Sequence, residues 1–165
     1  MCCCEYGMHP SKKLIDLYTA KPFQGQYPEK ATVVFWGRDA NYSCRISEDD
    51  FFRQILSYHE DGVTFWEDPD RKCHHPFLLP DYPFPRTKDG VRYHRNFGSM
   101  NLSLMCAKHI SFVELLDVPT TGNTAGGFRR LARQRLDAGL FQYIENLQKK
   151  LLKSGQKTIF ISPTC

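Results

Sequence analysis

Three groups of residues have the types and spacing to do chemistry. In Gly37-Arg38-Asp39-Ala40-Asn41-Tyr42-Ser43, an aspartate stands two residues after a glycine that permits close backbone approach. A carboxylate so placed can orient a water, and Tyr42 can stack on a flat ligand. The same composition also makes an ordinary turn closed by an Asx hydrogen bond. The second group is Cys73-His74-His75, which together with His59 or His94 carries the atom types of a metal site. No pair has the helical HxxxH or zinc-finger spacing, so packed or surface histidines are expected, with no metal and no other cofactor. The third group is the segment from Phe128 to Leu136. Helical periodicity there puts Phe128, Leu131, Ala132 and Leu136 on one face and Arg129, Arg130 and Arg133 on another. That arginine face suits either a phosphate backbone or plain solvent.

The apolar pattern predicts the elements that must hold these groups. Ala31 to Trp36 is a continuous apolar run without alternation, as in a strand buried on both faces of a parallel sheet, and Gly37 ends it. His109 to Leu116, with the single acid Glu114, and Thr158 to Ile161 are runs of the same kind. Helices are predicted after Ser11, where Leu14, Ile15, Leu17 and Tyr18 share a face, and after a Ser47/Asp50 capping box leading into Phe51, Phe52, Ile55 and Leu56. Further helices are expected near Asn96 to Lys108, along the arginine segment, and from Leu140 to Lys153 with Leu140, Ile144, Leu147 and Leu151 inward. Repeated Asp-Gly and Pro breaks make 60–95 a long loop region holding aromatics and His74, His75 and His94; loops of this length tend to be functional, and this one is the expected lip of a pocket. Strands separated by helices predict an α/β fold, a three-layer sandwich with a central, mostly parallel sheet. Ala31–Trp36 should lie in its middle and the site at the carboxyl edge of its strands.

With 165 residues, and roughly 100–200 per domain, residues 1–165 should form a single domain. A content of 41% hydrophobic and 24% charged residues excludes disordered and fibrous classes. The 22 basic and 18 acidic residues leave +4, and the excess is all in 106–165, where 9 basic and 4 acidic groups give +5. The seven cysteines, Cys2 to Cys4 contiguous and Cys44, Cys73, Cys106 and Cys165 single, do not form an even framework, so reduced thiols are expected. No apolar run approaches the ~18–20 residues of a membrane span, and the start lacks the pattern of a secretion signal. The expectation is an intracellular, cytoplasmic protein without membrane contact.

The stretch 112–120, FVELLDVPT, followed by Gly122-Asn123, resembles the strand and turn of the uracil-DNA glycosylase superfamily, nearest its mismatch-specific uracil/thymine branch. Gly37 to Tyr42 is similar to that superfamily's first motif, a glycine, any residue, then Asp or Asn after the first strand. His94-Arg95-Asn96-Phe97 resembles the branch's segment before the second strand. The likeness covers 31–43 and 94–147 and rests on the order of its pieces.

This resemblance implies a metal-independent, monofunctional DNA glycosylase. Such a hydrolase of DNA repair flips a damaged or deaminated pyrimidine out of the stack and cleaves its N-glycosidic bond. It makes Asp39 the group that positions water for attack at the sugar C1′, with Asn41 the second candidate. Phe97 or Phe77 would stack on the flipped base, and Gly37, Tyr42, His94, Glu114 and Asn123 would bind it. Arg129, Arg130 and Arg133 would take the DNA backbone, DNA being the expected partner of a monomer. Glu114 stands where many members place an uncharged or basic base-reading residue; an acid there can accept from an exocyclic amine or pair with an arginine. The stretch from Cys44 to Tyr93 exceeds the branch's usual connection. The chain stops at Ser162–Cys165, where the family continues to a fourth strand and a loop bearing histidine or asparagine. The reading is therefore a fragment, a degenerate relative, or a protein in which His74, His75 or His94 replaces that group. The alternative is a non-catalytic nucleic-acid or protein-binding domain that retains the glycosylase fold.

Overall fold

The computed structural model describes residues 5–86, 90–123, 127–153 and 155–161. In chain order its elements are β1 (Gly7–Met8), α1 (Lys12–Ala20), β2 (Phe23–Gly25), β3 (Val33–Gly37), β4 (Asn41–Tyr42), α2 (Phe52–Glu60), α3 (Gly62–Glu67), α4 (Val91–Gly98), β5 (Ile110–Glu114), β6 (Thr120–Thr121), α5 (Phe128–Asp137), α6 (Leu140–Leu152) and β7 (Thr158–Ile161). Short 3₁₀ segments lie at Ile46–Glu48, Pro76–Leu78 and Leu104–His109.

The three apolar runs pair as parallel strands. β3 lies between β5 and β7 and is parallel to both, and β2 joins the outer edge of β5 antiparallel, giving the order β2-β5-β3-β7. Because successive side chains of a strand alternate faces, Val34 and Val113 pack with Leu147 and Leu151 of α6 on one side. Phe35, Ile110 and Phe112 pack with Trp66 of α3 and Phe97 of α4 on the other. The result is the α/β three-layer sandwich with a mostly parallel sheet that the pattern predicts. A third cluster joins α1 and α2 to Tyr42, Phe77 and Val91, and a fourth joins Tyr6 and Leu116 to α5 and α6.

Several local expectations are corrected. β7 is exposed at all four positions and forms the edge of the sheet, with a strand neighbour on one side only among the described residues. The region 60–95 is not one loop: α3, whose first turn is capped by Asp61, the 3₁₀ turn at 76–78 and the start of α4 lie within it. The helix expected at 96–108 is split, since α4 stops at Gly98, Asn101 takes a positive φ of 50°, and Ser103 opens a 3₁₀ segment. Ser47 and Asp50 do not box a helix start; residues 46–48 form a 3₁₀ turn, and Asp49 accepts from the Phe51 N–H at 2.8 Å just before α2. Ser11 does cap α1, accepting from the Leu14 N–H. Leu136, expected inward, is exposed. Cys73 and Cys106 are free, but Cys44 is disulfide-bonded, against the expectation of reduced thiols throughout.

A second sheet joins three two-residue strands in the order β1-β6-β4. β4 is parallel to β6, pairing Asn41 with Thr120 and Tyr42 with Thr121, and β1 is antiparallel to β6. Its strand β4 directly follows β3 in the chain and pairs with β6, so the sheet fixes the first motif against the turn that follows β5.

Candidate active site at the carboxyl edge of the sheet

The parallel register sets Gly37 beside Glu114, and the ladder continues past the strand ends with Leu115 N–H donating to the Gly37 carbonyl at 3.0 Å and Leu116 N–H to that of Arg38 at 3.2 Å. The next residue, Asp39, is held by side chains from elsewhere rather than closing its own turn. Its side chain is only 6% exposed. Oδ2 accepts from Thr120 Oγ1 at 2.5 Å, from the Tyr6 hydroxyl at 2.9 Å and from Asn41 Nδ2 at 3.5 Å. Oδ1 faces Arg38 Nε at 3.4 Å. One carboxylate oxygen is therefore saturated by donors while the other keeps capacity for a water. Burial, with the charge of Asp39, pushes the Tyr6 hydroxyl up, so it remains a donor. Asn41 Nδ2 also donates to Thr120 Oγ1 and to the Gly122 carbonyl, both at 3.1 Å.

Beside Asp39 lies a cavity of about 20 Å³, lined by Gln24, Asp39, Ala40, Asn41, Tyr42, His75, Phe77, Gly90, His94 and Glu114. Holding one water needs ~10–15 Å³, so the cavity is of single-water size. Several polar side chains border it. Gln24 Oε1, Asn41 Oδ1, His75 Nε2 and Glu114 Oε2 are buried without a hydrogen-bond partner among the described residues. Buried polar atoms are normally paired, so four orphans on one cavity mark a place for water or ligand. Around them the donors are fixed. Gln24 Nε2 donates to the hydroxyls of Tyr42, at 2.9 Å, and Tyr18, and those hydroxyls lie 3.0 Å apart. The Phe77 ring meets Tyr42 edge to face.

Burial determines the protonation of His75 and His94 on this wall and of His74 beside them. It pushes His74 down to about 3 and holds His75 and His94, which stack at 3.6 Å between ring centres, well below the usual histidine range. All three are neutral at pH 7. His75 Nδ1 accepts from the Phe77 N–H at 3.2 Å, so in the neutral ring the proton is on the orphaned Nε2. His74 Nε2 and His94 Nδ1 share a hydrogen bond at 3.1 Å. Burial, and then the nearby charge of Asp39, raise the Glu114 carboxyl well above its ordinary range, favouring the protonated acid.

Gly37 makes room for that acid. A Cβ at Gly37 would lie 2.2 Å from Glu114 Oε2 and 2.9 Å from its carboxyl carbon. Gly37→Ala should therefore destabilise the protein by about 1–3 kcal/mol, as overpacking does, and removing the carboxyl in Gly37→Ala/Glu114→Ala should recover much of that loss. Urea unfolding of the four proteins measures the coupling; additive effects would show that the two residues do not press on each other.

Of the residues singled out in the sequence, Asp39, Asn41, Tyr42, Phe77, His94 and Glu114 line this one cavity, and Gly37 abuts it through Glu114. Phe97 does not; its ring packs in the sheet's core against Phe35, Trp66, His74 and Phe112. Asn123 is exposed and off the cavity wall. Arg129, Arg130 and Arg133 are exposed on α5, and Arg130 pairs with Glu5 at 2.6 Å. Tyr6 and Gln24 had no sequence signal of their own, while Tyr18 read only as part of an apolar helix face and Thr120 only as the end of the 112–120 stretch; β2, the small sheet and α1 bring them in. An open groove of about 440 Å³ between α2 and the segment after α3, lined by Glu60, Asp61, Glu67, Asp68 and others, shares no residue with the cavity. Its acidity disfavours a phosphate-bearing partner. Among the described residues no cluster of three His, Cys, Asp or Glu could hold a metal, and no helix is long and apolar enough to cross a membrane. Comparison with protein families, with curated proteins and with solved structures returns no match.

Proposed function

We propose that this chain is a DNA glycosylase-like protein that hydrolyses the N-glycosidic bond of a damaged or deaminated pyrimidine in DNA. The observation that carries the reading is one cavity at the carboxyl edge of the strands, bordered by a carboxylate with one oxygen saturated by donors, by an aromatic ring and by four residues with a buried polar atom unpaired among the described residues. Asp39 orients the attacking water through its less engaged oxygen. Phe77 stacks on the base, and Asn41, Gln24, His75 and Glu114 offer hydrogen bonds to its edge. Admitting a base requires Phe77 and Gly90 to part from Asn41, whose carbonyl accepts from the Gly90 N–H at 2.9 Å. The protein acts as a monomer on DNA. An intracellular setting accords with the free Cys73 and Cys106, and the bonded Cys44 weighs against it.

Incubation with uracil-bearing single-stranded and G·U duplex oligonucleotides, followed by alkali and gel analysis, tests this reading: strand scission at the uracil is expected, and none on any deaminated pyrimidine would overturn it. One observation favours the alternative, a binding domain that keeps the glycosylase fold without catalysis: the cavity, as it stands, takes a water and not a base. DNA binding without base release would select that alternative.

The exposed arginines of α5 carry a separate expectation. A plot of log affinity against log salt should lose about 1 unit of slope in Arg129→Ala and in Arg133→Ala, and less in Arg130→Ala, whose charge is already paired with Glu5. Unchanged slopes would leave this face to solvent.

A further inference from the structure

We propose that Glu114 is the general acid of the reaction, donating a proton from its buried carboxyl to the departing base. The inference rests on the glycosylase reading and adds a second reacting group to it. Three features of the structure support it. Glu114 is 7% exposed, and its Oε2 is unpaired among the described residues while lining the cavity. The absence of a Cβ at Gly37 leaves the space this carboxyl occupies. Its main chain is clamped, the Tyr143 hydroxyl donating to the Glu114 carbonyl at 2.8 Å, so the side chain projects from a fixed strand end.

The titratable groups that sense its charge are Asp39 after β3 and the hydroxyls of Tyr18 on α1, Tyr42 on β4, Tyr58 on α2, Tyr93 on α4 and Tyr143 on α6. His75 and His94 complete the wall as neutral rings. None of these offers Glu114 a cation, so its protonated form is favoured at neutral pH. Two carboxyl groups then share one cavity in unlike states, Glu114 as acid and Asp39 as acceptor of three donors, the arrangement by which hydrolases divide acid from base work.

The step balances. As the C1′–N bond breaks, its electron pair passes to the base, and the Glu114 O–H gives its proton to a ring carbonyl oxygen of that base. The water attacking C1′ passes its proton to Asp39. Once base and abasic strand have left, the proton returns from Asp39 to Glu114 through solvent.

Single-turnover base release by the full chain, from oligonucleotides bearing uracil or 5-fluorouracil, tests the assignment. With uracil, Glu114→Gln should be slower by roughly 10²–10⁴-fold, and the alkaline fall of the wild-type pH profile should vanish. With 5-fluorouracil, whose fluorine stabilises the departing anion without protonation, the loss should shrink by roughly tenfold or more. A merely structural Glu114 would slow both substrates equally. If wild type releases base and the variant matches it with the same pH profile, Glu114 is no acid and the glycosylase reading stands; if wild type releases none, both fall. Should the variant fail to fold, the wild type alone decides, because a pH profile flat on its alkaline side overturns the assignment.

Discussion

Asp39→Asn should lower the rate of base release by roughly 10²–10⁴-fold, the contribution of a positioned general base, while uracil-DNA binding persists. The substitution keeps the shape, but the amide has one acceptor where the carboxylate has two. Thr120, Tyr6 and Asn41 all donate to Oδ2, so the amide oxygen must take that position and the NH₂ must face Arg38 and the water. A donor there cannot accept the proton of the attacking water. The same exchange sets two donors against each other beside Arg38, for which a stability loss of about 1–2 kcal/mol is expected. Single-turnover release and fluorescence anisotropy with one oligonucleotide separate the effects. A variant that binds and releases base at the wild-type rate would remove Asp39 from the chemistry.

Stability should collapse as pH falls from 6.5 towards 4. His59, His74, His75 and His94 are buried and neutral, with burial holding His59 at about 4, His74 at about 3 and the other two well below the ordinary 6.5. Below 6.5 the unfolded chain takes protons that the folded chain refuses, so the stability is fully present above 6.5 and is lost as pH falls through the folded values. Each such histidine contributes ~1.4 kcal/mol per pH unit within its window. Glu114 acts in the opposite sense: its native carboxyl keeps a proton that the unfolded chain has released above about 4.5, so its contribution declines as pH rises from there. His9, also lowered by burial, adds to them just below 6.5; the other four against one leave a net slope on the order of 4 kcal/mol per unit below pH 6, large beside a typical total of ~5–15 kcal/mol. Urea midpoints at pH 7.5, 6.0 and 5.0 measure it, and His74→Phe should flatten the slope by about one proton. A midpoint constant from pH 7.5 to 5.0 would show that these rings are not held neutral.

The sequence by itself determined the sheet's parallel core, since the apolar runs at 31–36 and 109–116 bury well as neighbouring strands, and it determined α1 and α6 through a cap and a 3.6-residue apolar stripe. It also placed Asp39 and Glu114 at the carboxyl edge, because the strand ends and the parallel register follow from those runs. Local patterning says which face of an element is apolar and nothing about what meets it. For that reason Leu136 and β7 read as interior yet lie exposed, one on a helix whose outer turn nothing covers among the described residues and the other at a sheet edge. The strands β1, β4 and β6 have two residues each, too few for any period to show, and only their pairing brings Tyr6, Asn41 and Thr120 around Asp39. Gln24 reaches the cavity through an antiparallel strand of three residues for the same reason. The protonation of Glu114 and of the histidines was the last thing left to tertiary structure: an isolated side chain titrates at its ordinary value, and only enclosure among α1, α2, α4 and the sheet removes the water that would stabilise its charge.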